Sequence, residues 1–225
     1  MARIVYGVSG DGYGHAVRAH SVGEGLAARG HDVRFVGSHR SIAYLSRHFP
    51  QRVHETLGLR MTYREGRVAV LDTMLRNAAK LIGSLRASNR SLSQMLRSFR
   101  PEFVITDFEP FTALWARQMG VPYISLDNQH LLTHCHLDHP IGFGRDILNA
   151  YLTIRLYYGG AKRYLITTFI QAPVRYQPAT IIDPVLRPKV YQKTPEQGDF
   201  LVAYKGAGGE NLAMQRVLED YSRVP

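Results

Sequence analysis

The stretch ARIVYGVSGDGYGHAVRAHSVGEGLAARGHDVRFVGS, residues 2–38, decides the fold. It opens with an apolar run typical of a buried strand and continues into a turn that is rich in glycine. A segment with helical spacing follows and ends at Gly30, a suitable residue to terminate a helix. A second apolar run comes next, so the stretch predicts a βαβ unit with parallel strands and a right-handed crossover.

The rest of the chain extends this pattern. Further strands are predicted in PEFVITDFEP, VPYISLDNQH and RYLITTFI, and helices in SIAYLSRHF and TALWARQMG, whereas QAPVRYQPATIIDPVLRP is interpreted as a proline-rich connector. The segment GDFLVAYKGAGGENLAMQRVLEDYS again has the order strand, turn and helix. We therefore predict an α/β protein: a Rossmann-like parallel sheet with helices on both faces (1–185), a linker (186–198) and an incomplete second Rossmann-like unit (199–225).

Composition narrows the function classes. The chain has 225 residues, a net charge of +10 and a single cysteine, Cys135, which excludes an internal disulfide framework. No apolar run reaches the length of about 20 residues that a membrane span needs. A basic surface favours nucleic acid, an anionic membrane or an acidic small molecule. Nucleic acid is not an expected partner, because the sequence has no zinc-finger or RNP-like motif.

The glycine-rich turn, GVSGDGYGH, is the first candidate site. Ligands of such folds bind at the carboxyl ends of the strands, where helix N-termini favour anions and glycines allow close approach. His15 follows the glycines at the start of the helix, where a charged imidazolium is disfavoured. Asp107 ends another predicted parallel strand, at the same edge of the sheet. We expect a His15–Asp107 dyad in which His15 acts as the general base.

The turn has two other interpretations. The dinucleotide fingerprint G-x-G-x-x-G is not matched, and the second strand ends without an acidic residue. An NADP-binding protein could use Ser38 and Arg40 instead of an acidic residue. An NADP-dependent reductase therefore remains an alternative. The turn could also be a purely structural feature of the backbone.

The stretch THCHLDH, residues 133–139, matches the H-x-H-x-D-H signature of metallo-β-lactamase-like zinc hydrolases. Such a site needs further histidine ligands later in the chain, and no histidine follows His139. A glycine-rich βαβ unit at the start of the chain does not fit those hydrolases either. We therefore predict no native metal site, although His134, His136 and His139 could bind metal adventitiously.

Residues 71–100 have helical periodicity and carry six basic residues against one acid, Asp72. One interpretation is a solvated helix face. The other is a helix that lies on an anionic membrane surface, with Phe99 near its end. The apolar, tyrosine-rich segment ILNAYLTIRLYYGG could serve the same surface, but core packing is the expectation for it.

A family resemblance enters at these motifs. The stretch YGVSGDGYGHAVRAHSVGEGLAARGHDVRFVGS resembles the N-terminus of two-domain GT-B glycosyltransferases. It is similar to the enzyme that adds N-acetylglucosamine to the lipid-linked peptidoglycan precursor and to UDP-glucuronosyltransferase-like proteins. The segments PEFVITDFEP, VPYISLDNQHL and RYLITTFI…IIDPVLRPKV resemble the second group, so the resemblance covers roughly residues 3–222.

The resemblance implies that the first domain binds the acceptor, a small molecule or a lipid-linked one, and that the second binds a nucleotide-sugar donor. His15 then activates or orients the acceptor, and Asp107 is its partner. Acceptor contacts are expected from the glycine turn and from the loop after VPYISLD, at Gly10, Gly12, Gly14, Asn128, Gln129 and His130. The donor-facing loop is expected at Gly206, Gly208 and Gly209. The resemblance implies no metal and no cofactor, with a UDP-sugar as co-substrate.

The sequence departs from this family in length. Only the first strand, turn and helix of a donor domain are expected here, so we predict that the chain does not transfer sugar alone. The terminal segment would then pack on the first domain or mediate a dimer. The expected location is cytoplasmic, with the inner face of the membrane as a candidate peripheral site. A non-catalytic ligand-binding protein derived from the same fold is a further alternative.

Overall fold

The computed structural model describes residues 1–56, 58, 63–64, 67–68, 88–138, 142, 144–199 and 212–221. The helices within them are α1 (Tyr13–Ala28), α2 (His39–His48), α3 (Ser88–Phe99), α4 (Pro110–Met119), α5 (Leu131–His134), α6 (Gly144–Tyr158), α7 (Pro188–Tyr191) and α8 (Leu212–Tyr221). The strands are β1 (Arg3–Val8), β2 (Asp32–Gly37), β3 (Val53–Glu55), β4 (Tyr63–Arg64), β5 (Arg67–Val68), β6 (Phe103–Asp107), β7 (Tyr123–Asp127), β8 (Arg163–Thr167) and β9 (Ala179–Ile182). None of the helices in this part of the chain is long and apolar enough to cross a membrane.

Seven strands form one parallel sheet in the order β3-β2-β1-β6-β7-β8-β9, and β4 and β5 form a separate antiparallel pair. The chain builds the sheet outward from β1 in one direction and then returns to add β6 on the other side of β1. The strand order therefore reverses between β1 and β6. Open α/β sheets bind ligands in the crevice at this switch point, outside the carboxyl ends of the two strands.

Helices cover both faces of the sheet, as predicted. Alternating residues of β1 point to opposite faces, so Ile4, Tyr6 and Val8 pack with α1 and α2. Val5 belongs to the other core, which contains Leu92, Leu96 and Phe99 of α3 and Trp115 of α4. Because both faces are covered, the central strands are almost continuously apolar, which is typical of parallel sheets.

The α/β class, the first βαβ unit and strands β6, β7 and β8 are confirmed. One segment was wrongly interpreted: the proline-rich connector contains β9, which pairs with β8 at the edge of the sheet. Its four residues lie between Pro178 and Pro184, and an edge position tolerates prolines at the ends of a strand. The predicted domain boundaries stay predictions, with α7 inside the proposed linker and α8 inside the proposed second unit.

The described part of the basic helix, α3, is amphipathic as predicted. Leu92, Leu96 and Phe99 are buried, whereas Arg90 and Arg97 are exposed. Phe99 lies beneath the guanidinium of Arg34, whose Cζ is 4.2 Å from the ring centroid. Phe99 therefore does not face a membrane, because its ring completes the core. Residues 71–87 of the predicted basic helix lie outside the described residues.

Candidate functional site

The glycine-rich turn connects β1 to α1 at the switch point of the sheet. Gly12 precedes α1 with φ 94°, a conformation that favours glycine. A Cβ added at Gly10 would overlap with the Ser38 side chain and carbonyl, so this glycine allows the turn to pack against the end of β2. A Cβ at Gly12 or Gly14 would meet no atom within 4 Å. The predicted acceptor-binding glycines thus fall into two kinds, one packed and two open.

His15 and Asp107 meet at the reversal point of the strand order. His15 lies in the first turn of α1, and Asp107 ends β6, whose register pairs it with Val8 of β1. The His15 Nδ1 lies 2.7 Å from the Asp107 Oδ1. The His15 side chain is 15% exposed and that of Asp107 is 0% exposed, so the pair has one face towards solvent.

Arg18, a residue that the sequence interpretation missed, shares this carboxylate. Its Nε donates to Asp107 Oδ2 at 2.7 Å, and its Nη2 donates to Oδ1 at 2.6 Å. Burial lowers the pKa of Arg18, but the hydrogen bonds and charge of Asp107 outweigh burial and raise it overall. The sequence did contain a signal, because Arg18 follows His15 by three positions and residues at this spacing share a helix face.

The two hydrogen bonds from Arg18 to Asp107 determine which ring nitrogen of a neutral His15 carries the proton. A carboxylate held by two guanidinium N–H groups is ionised and can only accept hydrogen bonds. The 2.7 Å contact therefore assigns a hydrogen to Nδ1 of His15, which donates it to Asp107. The Arg18 Nη2 is also 3.2 Å from this nitrogen, but it cannot donate to an N–H. In the neutral ring the free lone pair is then on Nε2, which can accept a proton.

The turn after β6 aims Asp107 at this point. Phe108 has φ 54°, a left-handed conformation that bulky residues rarely adopt, and its ring stacks on Tyr158 at 4.1 Å. Glu109 then caps α4: its carboxylate accepts from the backbone N–H groups of Phe111 at 3.0 Å and Thr112 at 2.7 Å. The cap and the stack fix the chain reversal directly behind Asp107.

The predicted acceptor loop follows β7. Asn128 is exposed, and its Nδ2 donates to the Thr167 carbonyl at 3.0 Å, whereas Gln129 is half-buried. The His130 side chain is buried, and its Nδ1 lies 2.8 Å from Asp127 Oδ2. Burial would raise the pKa of Asp127, but its hydrogen bonds and the charge of His130 outweigh this and lower it. His130 thus lies inside the fold rather than on the cleft wall, and the acceptor roles of this loop stay predictions.

Comparison with known proteins decides the family. The family model of glycosyl transferase family 1 matches residues 2–223.

The chain belongs to glycosyl transferase family 1.

A solved structure supports the fold of this family member. UGT2 of Phytolacca americana, complexed with UDP-2fluoro-glucose and pterostilbene, has a TM-score of 0.51 at 16% identity, with 87% of this chain and 58% of that chain covered. MurG of Acinetobacter baumannii has a TM-score of 0.42 at 12% identity, with 76% and 43% covered. At such identities the likeness concerns the fold alone. The chain spans about half the length of these structures, and no curated protein matches it significantly.

In this family member the described part of the THCHLDH stretch places one histidine inside the fold and one at the surface. His134 is buried with its Nδ1 2.8 Å from Thr133 Oγ1, whereas His136 is exposed. His134 is the last residue of α5, whereas the backbone is extended at Cys135, which forms an antiparallel bridge with Val174. The described residues contain no group of three histidine, cysteine or acidic side chains that could hold a metal. His139 lies outside them.

The residues of the NADP alternative also have separate roles in this glycosyltransferase-family fold. Ser38 is buried, and its backbone N–H donates to Ser41 Oγ at 3.1 Å at the start of α2. Arg40 is exposed, with its Cζ 5.7 Å from the centroid of the Tyr13 ring. The predicted donor-facing residues Gly206, Gly208 and Gly209 lie outside the described residues.

Proposed function

We propose that this chain forms the acceptor side of a sugar-transfer reaction, with His15 as the general base and Asp107 as its orienting partner. The observation that carries the proposal is the 2.7 Å contact between His15 Nδ1 and Asp107 Oδ1 at the switch point of the sheet. Membership of glycosyl transferase family 1 supports the reaction class. The roles of the two residues are the proposal itself.

The proposed step is a direct displacement at the anomeric carbon of a nucleotide sugar. The acceptor hydroxyl lies at Nε2 of His15 and gives its proton to this nitrogen as the oxygen attacks. A bond forms between the acceptor oxygen and the anomeric carbon, and the bond from that carbon to the nucleoside diphosphate breaks. The diphosphate leaves with the electron pair, so charge and atoms balance without a redox partner.

Asp107 contributes in two ways under this proposal. Its hydrogen bond to Nδ1 orients the ring so that Nε2 faces the acceptor, and its negative charge stabilises the imidazolium that forms after proton transfer. Arg18 holds the carboxylate through both oxygens, which restricts its rotation. We therefore propose that Arg18 is a positioning residue, since Asp107 stands between the acceptor and the guanidinium.

The proposed substrates are a UDP-sugar donor and a small-molecule or lipid-linked acceptor. UGT2, whose fold this chain shares, was solved with UDP-2fluoro-glucose, a UDP-sugar, and with pterostilbene, a small molecule. Open space beside Gly12 and Gly14 gives an acceptor room to approach His15. Asn128 and Gln129 remain proposed acceptor contacts, and Gly206, Gly208 and Gly209 proposed donor contacts.

Isotope-labelled histidine NMR tests the dyad by reporting which ring nitrogen of His15 carries the proton. The neutral His15 ring is expected to carry its proton on Nδ1 and to leave Nε2 unprotonated. Hydroxyl compounds that accept sugar in a transfer assay should shift the NMR signal of His15 Nε2. The ring signals of His20 should stay unchanged, because His20 contacts Tyr44 and Glu24 instead. A protonated Nε2 with a free Nδ1 would contradict the proposed base.

A further inference from the structure

Helix α6 has an apolar stripe that is more than half exposed. Ile154 and Tyr158 anchor the inner side of the helix and are only 4% and 2% exposed. The opposite side carries Leu148, Leu152 and Leu156, which are 56%, 53% and 59% exposed. These leucines are spaced by four positions, so they form one continuous row along the helix. The core-packing expectation for this segment therefore holds for one face only.

The charges beside the leucine row are basic. Arg145 and Arg155 are exposed. Each arginine is three positions from one leucine of the row and seven positions from another, so both lie on the same side of the helix as the leucines. The one acidic residue of α6, Asp146, is spaced onto a different side. The Cζ of Arg155 lies 6.0 Å from the centroid of the half-buried Tyr151 ring, so a tyrosine borders the same edge.

Charge decides between the candidate occupants of this surface. A second copy docked through the same row would bring Arg145 and Arg155 close to their own counterparts, on a chain whose net charge is already +10. Like charges at a self-complementary interface oppose association. An anionic lipid surface reverses this sign, because its headgroups attract the arginines while the leucines enter the headgroup–acyl boundary.

We propose that the leucine row of α6, with Arg145 and Arg155, is a docking surface for an anionic membrane. The helix lies flat in the interface, its three leucines directed into the lipid, and the stems of the two arginines extend along the apolar surface towards the headgroups. This surface includes no residue of α3, whose Phe99 is buried in the core.

The topology connects this surface to the ligand edge of the sheet. Strands β7 and β8 are parallel neighbours, so the chain returns from the carboxyl edge to the amino edge between them, and α6 makes this return. The N-terminal end of α6, with Arg145 and Leu148, therefore lies towards the edge that carries His15 and Asp107. The docking surface goes beyond the proposed sugar transfer and does not depend on it.

Vesicle sedimentation with the 225-residue chain tests the proposal. Vesicles of phosphatidylcholine with added phosphatidylglycerol should carry the protein down, and vesicles of phosphatidylcholine alone should not. The double variant Arg145→Gln with Arg155→Gln should bind anionic vesicles about tenfold or more weakly. The matched control, Arg29→Gln with Arg47→Gln, loses the same charge from an exposed position directly after α1 and from one on α2, and should bind within about twofold of the wild type.

Replacement of Leu148, Leu152 and Leu156 by serine should abolish sedimentation while circular dichroism stays unchanged, since all three side chains are exposed. A polarity-sensitive dye on Leu152→Cys should shift to shorter wavelength with anionic vesicles, and the same dye on Arg47→Cys should not. Equal sedimentation of all variants, or no dye shift at position 152, would overturn the proposal. So would a dimer in solution that the leucine replacements dissociate, because the occupant would then be a second copy.

Discussion

The Asp107 carboxylate is shared by His15 and Arg18, and the His15 Nδ1 lies 2.7 Å from its Oδ1 although 92 positions separate the two residues in the chain. The parallel pairing of β1 with β6 brings them together, because both strands end at the same edge and the order of the sheet reverses between them. The proposed general base is therefore a product of topology, supported by a cation from its own helix.

Removal of Arg18 should destabilise the fold and loosen the dyad. Arg18→Met leaves the fully buried Asp107 carboxylate without its cation, which should lower the free energy of unfolding by about 3 kcal/mol. Adding Asp107→Asn to this variant should recover part of the loss, since a neutral amide is less costly to bury without a cation. Urea unfolding of both single variants and the double variant measures this coupling, and strictly additive losses would contradict it.

Two glycines of the first turn should respond differently to alanine. Gly10→Ala places a methyl group against the Ser38 carbonyl and should destabilise the fold by about 1–3 kcal/mol. Gly14→Ala adds the same methyl group in open space within α1 and should leave stability unchanged or raise it by up to about 1 kcal/mol. Thermal unfolding compares the pair. If Gly14→Ala weakens acceptor binding at full stability, the open space is part of the acceptor site.

The cap of α4 should contribute measurably to stability. Glu109→Ala removes the acceptor of two backbone N–H groups and of the Thr112 hydroxyl, all within a buried turn, and should cost about 1–2 kcal/mol. Glu102→Ala is a matched control, because Glu102 is half-exposed and its 3.6 Å ion pair with Arg3 should contribute less than about 1 kcal/mol. Denaturant titration of both variants checks the contrast, which equal losses would refute.

His134 should make the fold sensitive to mild acid. Burial, followed by the charges of His130 and Arg155, lowers the pKa of His134 to about 4. The folded state thus favours the neutral ring, so the contribution is complete above pH ~6.5 and is lost as the pH falls towards 4. Between pH 7 and pH 5 the wild type should lose about 2 kcal/mol more than His134→Gln, measured by urea unfolding with a chelator present.

The exposed neighbour His136 provides the control for this experiment. His136→Gln should keep the pH dependence of the wild type, because its ring lies outside the buried cluster. If His134→Gln and the wild type lose stability in parallel between pH 7 and pH 5, the buried ring is not the source of the acid sensitivity.

The sequence predicted those strands whose local residue pattern agrees with their place in the sheet. Apolar runs predicted β1, β2, β6, β7 and β8. The shared edge of these strands predicted that His15 and Asp107 would meet. Strand β9 was missed because its four residues lie between prolines, and only pairing with β8 makes them a strand. Arg18 was missed because an arginine in a helix usually points into solvent. Its buried partner, Asp107, comes from a strand that is distant in the sequence.

Side-chain burial was harder to predict than topology. His130 and Phe99 both looked available for ligands in the sequence, yet both are buried, one against Asp127 and the other beneath Arg34. Conversely, the leucines of α6 were expected in the core, and all three are exposed. Periodicity identifies an amphipathic element, but which face meets the core depends on the rotation of the helix against neighbours that a single segment does not specify.

The central claim is most directly tested by the effect of a His15→Ala replacement on the rate of sugar transfer. The measurement uses a preparation in which the wild-type protein transfers sugar at a measurable rate. The account predicts a fall in kcat of about 100-fold or more with an unchanged circular dichroism spectrum, because the proton of the acceptor hydroxyl loses its base. His20→Gln, a histidine replacement on the same helix but away from Asp107, should retain the wild-type kcat within about threefold. A His15→Ala variant with kcat within about threefold of the wild type would contradict the account.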